Sequence, residues 1–415
     1  MIGEKQMGKV LFLLDELPPT KSANGICINK IIEELNKDGI KSECICWSAP
    51  SQYPADVHLI PEKPWKRKVD RFSSDAFLSR LIFQVLRMAY RIKRILLIPI
   101  WPVDSCRTVR NYYNMAVQLI DKNTISVVVA VNYPGETLLA MKRLKKRYGD
   151  KIRTVMYPLD VSYINPYCGR LERKLSSYFC PKFMKSCSVY ADVLLTLENA
   201  LKTYETHYSA DERSNFRLCG IPMLEPREME NDPATPDEIH FLYSGTLQKQ
   251  VRDPDLAFSV INKIAQNTAS RVYFDLCGQI DNQSKQSYQK AKTMFELVEH
   301  GWVQEKQLRT FLRKADVLIS LGNTESHLIP SKLFTYMATG KPIIHFCITE
   351  EDPCISYLKR YGNAYIMFAS DVLNIVKLDE LYHFIANRHS TSIDLRKIFP
   401  RCFPDYTAKI LEEMM

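Results

Sequence analysis

The stretch SKLFTYMATGKPII, Ser331–Ile344, runs a helix directly into a buried strand, and this junction decides the fold. Leu333, Phe334, Tyr336 and Met337 form a dense apolar set among good helix formers. Gly340 stops the helix, because glycine tolerates the left-handed conformation that closes a helix end. Pro342 forbids continuation, and Ile343 and Ile344 open an apolar strand.

Working outward, the same alternation recurs. IHFLYSG (Ile239–Gly245), VYFDLCG ending at Gly278, the Trp302 region and DVLISLG (Asp316–Gly322) read as strands separated by helical stretches. Upstream, KVLFLLD (Lys9–Asp15), ECICW (Glu43–Trp47), SVVVAVN (Ser126–Asn132), TVMY (Thr154–Tyr157) and DVLLTL (Asp192–Leu197) repeat the pattern. After the first of these, Ile28, Ile31, Ile32 and Leu35 are spaced as one helix face, ended near Gly39. Between the two series, PMLEPREMENDPATPDE is rich in proline and acids with little periodicity, a linker composition. The expected fold is α/β, two doubly wound Rossmann-like domains facing across a cleft. The expected boundaries are 1–222, a linker at 223–236, a second domain at 237–394, and a helical end at 395–415 that packs back on the first domain.

At 415 residues, the chain is long enough for two domains of roughly 200 residues each. No run of about 18 apolar residues appears, so a spanning helix is not expected. The acids right after a short N-terminal apolar run argue against a signal peptide. Twelve cysteines are scattered without a CxxC pair, reading as reduced, buried thiols rather than a zinc site. These features point to the cytoplasm. The formal net charge is +9, and residues 63–110, with 12 Lys/Arg against 3 Asp, account for all of it.

Two constellations carry chemistry. In YSGTLQKQVRDPDLAF, Gly245 lets backbone N–H groups approach an anion, Thr246 adds a hydroxyl and Arg252 a bidentate donor. Asp253 is placed as an N-cap with Pro254 at the first helical position, which also explains the DxD at Asp253–Asp255 without a metal. Ser331 is placed to cap the helix of the opening stretch, with Lys332 in its first turn. N–H groups at a helix start plus an ammonium make a phosphate site. The plainer readings are an ordinary strand–loop–helix connection and a solvated surface lysine.

SGTL…RDP, followed by a strand, GNTESHLIPSK and LFTYMATGKPII, resembles the donor-binding half of family-4 glycosyltransferases of the two-domain GT-B fold. The resemblance is strong over Phe241–Ile344 and weak in the first half. It implies transfer of a sugar from a UDP- or GDP-type donor to a glycan or lipid-linked acceptor, with retention and with no metal or cofactor. By the family pattern Gly245, Thr246, Arg252 and Lys332 fall at the diphosphate, beside the donor-binding Ser331. Gly278, Trp302 and Val303 fall at the base and ribose, although a lone tryptophan beside a strand also suits a core. The loop Pro18–Gly25 corresponds to the glycine loop facing the transferred sugar, which gives Gly25 a donor role. Where the family carries two glutamates, this chain has His327 and Thr335, with Glu325 able to supply a displaced carboxylate. Glu325 and His327 should border the donor sugar, and Thr335 can hydrogen-bond the ribose. Asp160, just after a strand, is the candidate active-site carboxylate or else a helix cap.

In the basic segment, Arg80, Gln84, Arg87, Arg91 and Arg94 recur at intervals of three and four along one helix. With its neighbouring aromatics, this suits an anionic membrane surface on the inner face of the cytoplasmic membrane. The plainer reading is a core helix whose basic face meets solvent. No nucleic-acid motif accompanies the charge. The expected function is a membrane-peripheral glycosyltransferase of surface polysaccharide synthesis. A nucleotide-sugar epimerase of the same fold and a non-catalytic nucleotide-sugar binder are the alternatives.

Overall fold

A computed structural model of the chain describes residues 8–18, 22–50, 52–61, 77–122, 124–132, 134–159, 170–225, 232, 235, 237–290, 293–322 and 329–415. Two compact units result, Met1–Pro222 with Arg401–Met415, and Met223–Pro400.

The first unit is built on β1 (Lys9–Leu13), β2 (Ser42–Cys46), β3 (Asp56–Leu59), β4 (Ile125–Asn132), β5 (Arg153–Pro158), β6 (Val193–Leu197) and β7 (Phe216–Cys219). They pair in parallel in the order β3-β2-β1-β4-β5-β6-β7. Its helices are α1 (Ala23–Lys37), α2 (Phe77–Leu97), α3 (Cys106–Lys122), α4 (Gly135–Tyr148), α5 (Arg170–Ser188) and the short α6 (Leu201–Glu205). The central strands are apolar throughout because helices cover both faces of a parallel sheet. On one face Leu11, Leu13, Ile45 and Val128 pack with Tyr112, Ala116 and Leu119 of α3 and Ala140 and Leu144 of α4. Helix α1 buries Ile28, Ile31, Ile32 and Leu35, as their spacing predicts. It begins at Ala23, so Gly25 sits in its first turn rather than in the preceding loop, and the Gly25 N–H donates to the capping hydroxyl of Ser22 at 3.3 Å.

The second unit contains β8 (Glu238–Ser244), β9 (Arg271–Cys277), β10 (Glu296–Glu299), β11 (Val317–Leu321), β12 (Ile343–Cys347) and β13 (Ala364–Phe368), all parallel in the order β10-β9-β8-β11-β12-β13. Trp302 lies beyond β10, not within a strand. The helices are α7 (Asp255–Gln266), α8 (Asn282–Lys290), α9 (Glu305–Lys314), α10 (Lys332–Met337), α11 (Cys354–Tyr361), α12 (Ile375–Ala386) and α13 (Leu395–Ile398). Helix α14 (Pro404–Glu412) belongs to the first unit and lies against α1.

Residues 331–344 fold as α10 followed by β12. Gly340 takes φ 69°, the left-handed value its place at the helix end requires. The buried Lys341 donates to the carbonyl oxygen of Arg313 at 2.6 Å and to that of Ala315, binding the loose end of α9. Burial holds its ammonium down to about 8, partly offset by Asp316 and Asp232.

Helix α2 departs from the expected pattern. Val85, Met88, Ile92, Ile95 and Leu96 are 48 to 73% exposed. Their spacing sets them on one stripe, so an apolar face meets solvent, and Gln84 and Lys93 are exposed as well. Arg94 instead turns to Glu172 at 3.7 Å and lies 5.5 Å over the Trp101 ring. Residues 62–76 are outside the described residues.

Candidate functional site

In each sheet the strand order reverses beside the first strand, between β1 and β4 and between β8 and β11. Ligands of doubly wound sheets bind beyond the carboxyl ends of the strands at such points. In the second unit that position is the Ser244–Gly245 turn.

Four side chains converge there. The Lys332 Nζ donates to the Ser244 carbonyl oxygen at 2.8 Å and stands 3.5 Å over the centre of the Tyr243 ring. The Tyr243 hydroxyl donates to the Thr246 carbonyl at 3.3 Å, and the Arg252 side chain hydrogen-bonds that same hydroxyl. The buried Tyr336 hydroxyl accepts the Ser244 N–H at 2.7 Å, pinning the turn to α10. Gly245 has φ 127°, a backbone that only glycine adopts freely. A Cβ there would stand 3.1 Å from Lys332 Nζ.

The electrostatics follow from the packing. Desolvation, then the positive Arg252 nearby, holds the half-buried Lys332 ammonium well below the usual lysine range. Two basic side chains share one small site, so charge on Arg252 disfavours charge on Lys332. The Ser244 carbonyl and the Tyr243 ring face compensate only part of the charge.

Gly278 belongs to the same turn cluster. A Cβ at Gly278 would lie 2.0 Å from the Gly245 carbonyl oxygen, so backbone contact alone demands glycine. The Gly245 N–H reaches Cys277 O at 2.9 Å and the Leu247 N–H reaches Gln279 O at 2.8 Å, joining the two loops.

Ser331 does not cap α10. Its backbone is already helical and its side chain makes no capping bond. The Leu333 and Phe334 N–H groups are taken by Pro330 O at 2.9 Å and Ser331 O at 3.1 Å. The start of this six-residue helix therefore offers a ligand less than the Lys332 side chain does. Thr335 is half-buried on α10 and Thr246 is exposed. Asp253 is not the N-cap, since α7 starts at Asp255. The Asp253 carboxylate accepts the Asp255 N–H at 3.0 Å, and Lys249 bonds to both acids. The DxD is occupied by this lysine.

Trp302 is 60% exposed after β10, so it is not a core residue, and Val303 beside it is half-buried. Two residues before Trp302, His300 joins a chain in which Asp275 on β9 bridges two histidines, His240 Nδ1 at 2.7 Å and His300 Nε2 at 2.6 Å. Burial raises the Asp275 carboxyl, but the two histidines outweigh it and hold it below the usual range. A second buried chain runs from Ser320 Oγ to His345 Nδ1 at 2.9 Å and from His345 Nε2 to Asp352 at 3.2 Å. Neither chain was foreseen, because its partners come from separate strands and the loops that follow them. Gly25 lies in the first unit, and Asp160, Glu325 and His327 are outside the described residues.

No protein-family model matches the sequence, and no curated protein does. Solved structures do. The lipopolysaccharide outer core galactosyltransferase WaaB superposes with TM-score 0.58 and 13% identity over 98% of each chain. The catalytic domain of starch synthase IV from Arabidopsis thaliana, bound to ADP and acarbose, gives 0.56 and 10% over 98% of each chain. A Listeria monocytogenes structure described as a UDP-N-acetylglucosamine 2-epimerase gives 0.51 and 10%, over 97% of this chain and 94% of that one. At these identities the likeness concerns the fold. It is the fold of glycosyltransferases of the GT-B architecture, two doubly wound domains in tandem.

Proposed function

We propose that the chain is a glycosyltransferase that moves a sugar from a nucleotide diphosphate sugar of UDP or GDP type to a glycan or lipid-linked acceptor in surface polysaccharide synthesis, with retention. The observation that carries the reading is the pairing of Lys332 and Arg252 around Tyr243 and the Ser244–Gly245 turn, at the switch point of the second sheet. A diphosphate would neutralise both cations and accept hydrogen bonds from each. Trp302, exposed beyond β10, offers a stacking face for a base. Asp160, Glu325, His327, Thr335 and Gly25 remain candidates for the sugar and its leaving group. Catalysis would rest on positioning and on stabilising the departing diphosphate.

The exposed apolar stripe of α2 extends the reading to location. Among the described residues no helix is long and apolar enough to cross a membrane. A stripe of large apolar side chains on a helix carrying Arg80, Arg87, Arg91 and Lys93 suits insertion at an anionic bilayer surface. The protein would then act on the cytoplasmic face, where a lipid-linked acceptor is presented.

The epimerase reading draws on the Listeria neighbour. Incubation with a panel of UDP- and GDP-sugars separates the possibilities. Release of nucleotide by water or acceptor supports transfer, interconversion of two nucleotide sugars supports epimerisation, and binding without turnover leaves a non-catalytic binder.

A further inference from the structure

Two central strands of the second sheet carry buried polar side chains that the Lys332 site does not use. Ser320 on β11 and His345 on β12 are fully buried and directly paired across the parallel ladder. Ile319, Leu321, Ile344 and Phe346 pack into the apolar core on one face, so Ser320, His345 and Cys347 share the other. Two residues beyond Ser320, Gly322 stands level with Cys347, and its N–H reaches Phe346 O at 2.9 Å. A Cβ at Gly322 would lie 2.6 Å from Asp352 Oδ2, so a bare backbone here makes room for a carboxylate.

Asp352 and Cys354 come back over that face from the loop after β12. Asp352 Oδ2 meets His345 Nε2 at 3.2 Å, and Asp352 Oδ1 accepts the Cys354 N–H at 2.8 Å where α11 begins. One ligand-type atom from each of His345, Asp352 and Cys354 lies within 4.8 Å of the other two. All three are buried, and so is Cys347 on the next rung of β12.

Two observations ask for a cation among these groups. A carboxylate taken this far from water needs a countercharge. No lysine or arginine among the described residues pairs with Asp352, and its ion partner His345 is charged only when protonated. The second observation is a distance. Asp275 draws its two histidines to 2.7 and 2.6 Å, as charge-assisted hydrogen bonds do. Asp352 and His345 stand 3.2 Å apart. Tetrahedral zinc, with bonds of about 2.0–2.1 Å to nitrogen and oxygen, sets those two ligand atoms about 3.3 Å apart.

The surroundings and the donor set narrow the metal. Ser320 Oγ lies 2.9 Å from His345 Nδ1. With the Nδ1–H donated to Ser320, Nε2 presents its lone pair, the outer contact that metal-bound histidines commonly have. Imidazole and thiolate together suit zinc, whereas magnesium and calcium take oxygen ligands.

We propose that His345, Cys347, Asp352 and Cys354 form a buried structural zinc site that staples the loop at 348–353 over the ends of β11 and β12. Each thiol gives its proton to solvent as the metal binds. The stretch HFCITEEDPC, His345–Cys354, holds all four donors without the CxxC pair that announces many zinc sites. The site takes no part in the sugar transfer proposed above and does not depend on it.

The test uses the full chain, stripped with EDTA under reducing conditions and titrated with Co2+ or Zn2+ alone. Co2+ should give thiolate-to-metal charge-transfer absorption and tetrahedral d–d bands that saturate at one equivalent and disappear when Zn2+ is added. Cys354→Ser should remove this binding, and Cys347→Ser should weaken the charge-transfer absorption. Ser320→Ala, which leaves every ligand atom in place, should cost about 10–100-fold in zinc affinity. In the wild type, Zn2+ should raise the melting temperature by several degrees and Mg2+ should not. If Cys354→Ser does not fold, the wild-type spectrum and Cys347→Ser decide the matter. No cobalt band in the wild type, or a band and a melting shift unchanged in the cysteine variants, would overturn the proposal and leave Ser320, His345 and Asp352 as a buried hydrogen-bonded chain.

Discussion

The Lys332 ammonium donates to the Ser244 carbonyl oxygen across 2.8 Å, joining the first turn of α10 to the end of β8. A side chain 88 residues later in the chain thus ties the tip of one strand, and under the proposed function it marks the diphosphate site of the second unit. If this site holds a diphosphate, Lys332→Ala and Arg252→Ala should each weaken UDP or GDP binding by about 1–3 kcal/mol. Isothermal titration measures this, and unchanged affinity in both variants would sink the assignment.

Nucleotide binding should also take up protons. Free Lys332 is held well below the ordinary lysine value, which favours the neutral amine. A diphosphate beside it favours the charged form and moves it back up. At any pH between the depressed value and roughly 10.4, the complex therefore holds more protons than the free protein, and affinity falls as pH rises through that window. Titrations in two buffers of different ionisation enthalpy read the uptake directly. Zero uptake across pH 7–9 would contradict a diphosphate at Lys332.

Gly278→Ala should cost stability as well as binding. The added Cβ meets main-chain oxygen of Gly245, which has no rotamer by which to yield. Overpacking against backbone costs about 1–3 kcal/mol, so the denaturant midpoint should fall and UDP affinity with it. A variant as stable as wild type would show that the two turns do not touch.

The apolar stripe of α2 gives a separable prediction. Met88→Ser with Ile92→Ser changes two exposed side chains and should leave the melting temperature within a degree or so, since surface substitutions move stability by at most about 0.5 kcal/mol. Co-sedimentation with phosphatidylglycerol vesicles should drop at least about 10-fold, given the apolar area withdrawn. Equal sedimentation of variant and wild type would assign the stripe to something other than lipid.

The sequence and the structure part company at definite places. The central strands were legible because they are buried on both faces and read as unbroken apolar runs, such as VLFLL and VLISL. The strands left out or misplaced are β3, β7, β10 and β13, the four edges of the two sheets. DVHL, FRLC and ELVE mix charge with short apolar content because an edge strand meets solvent. In the site, the turn at Gly245 and the lysine at 332 could be read because a single short segment carries each. Tyr243, Tyr336 and the His240–Asp275–His300 chain could not. Their meaning arises only when strands distant in sequence are set side by side. The basic helix was legible as amphipathic, but its exposed apolar stripe was not, because exposure depends on what packs beneath the helix.

One consequence follows from α14 lying on α1. Cys402, Phe403, Ala408 and Leu411 are buried in the first unit, yet the ribosome makes them after the whole of residues 223–400. The first unit is thus complete in sequence only after the whole of the second has been made. A chain halted after Pro400 should give a protease-resistant fragment from the second unit and rapid cleavage within the first.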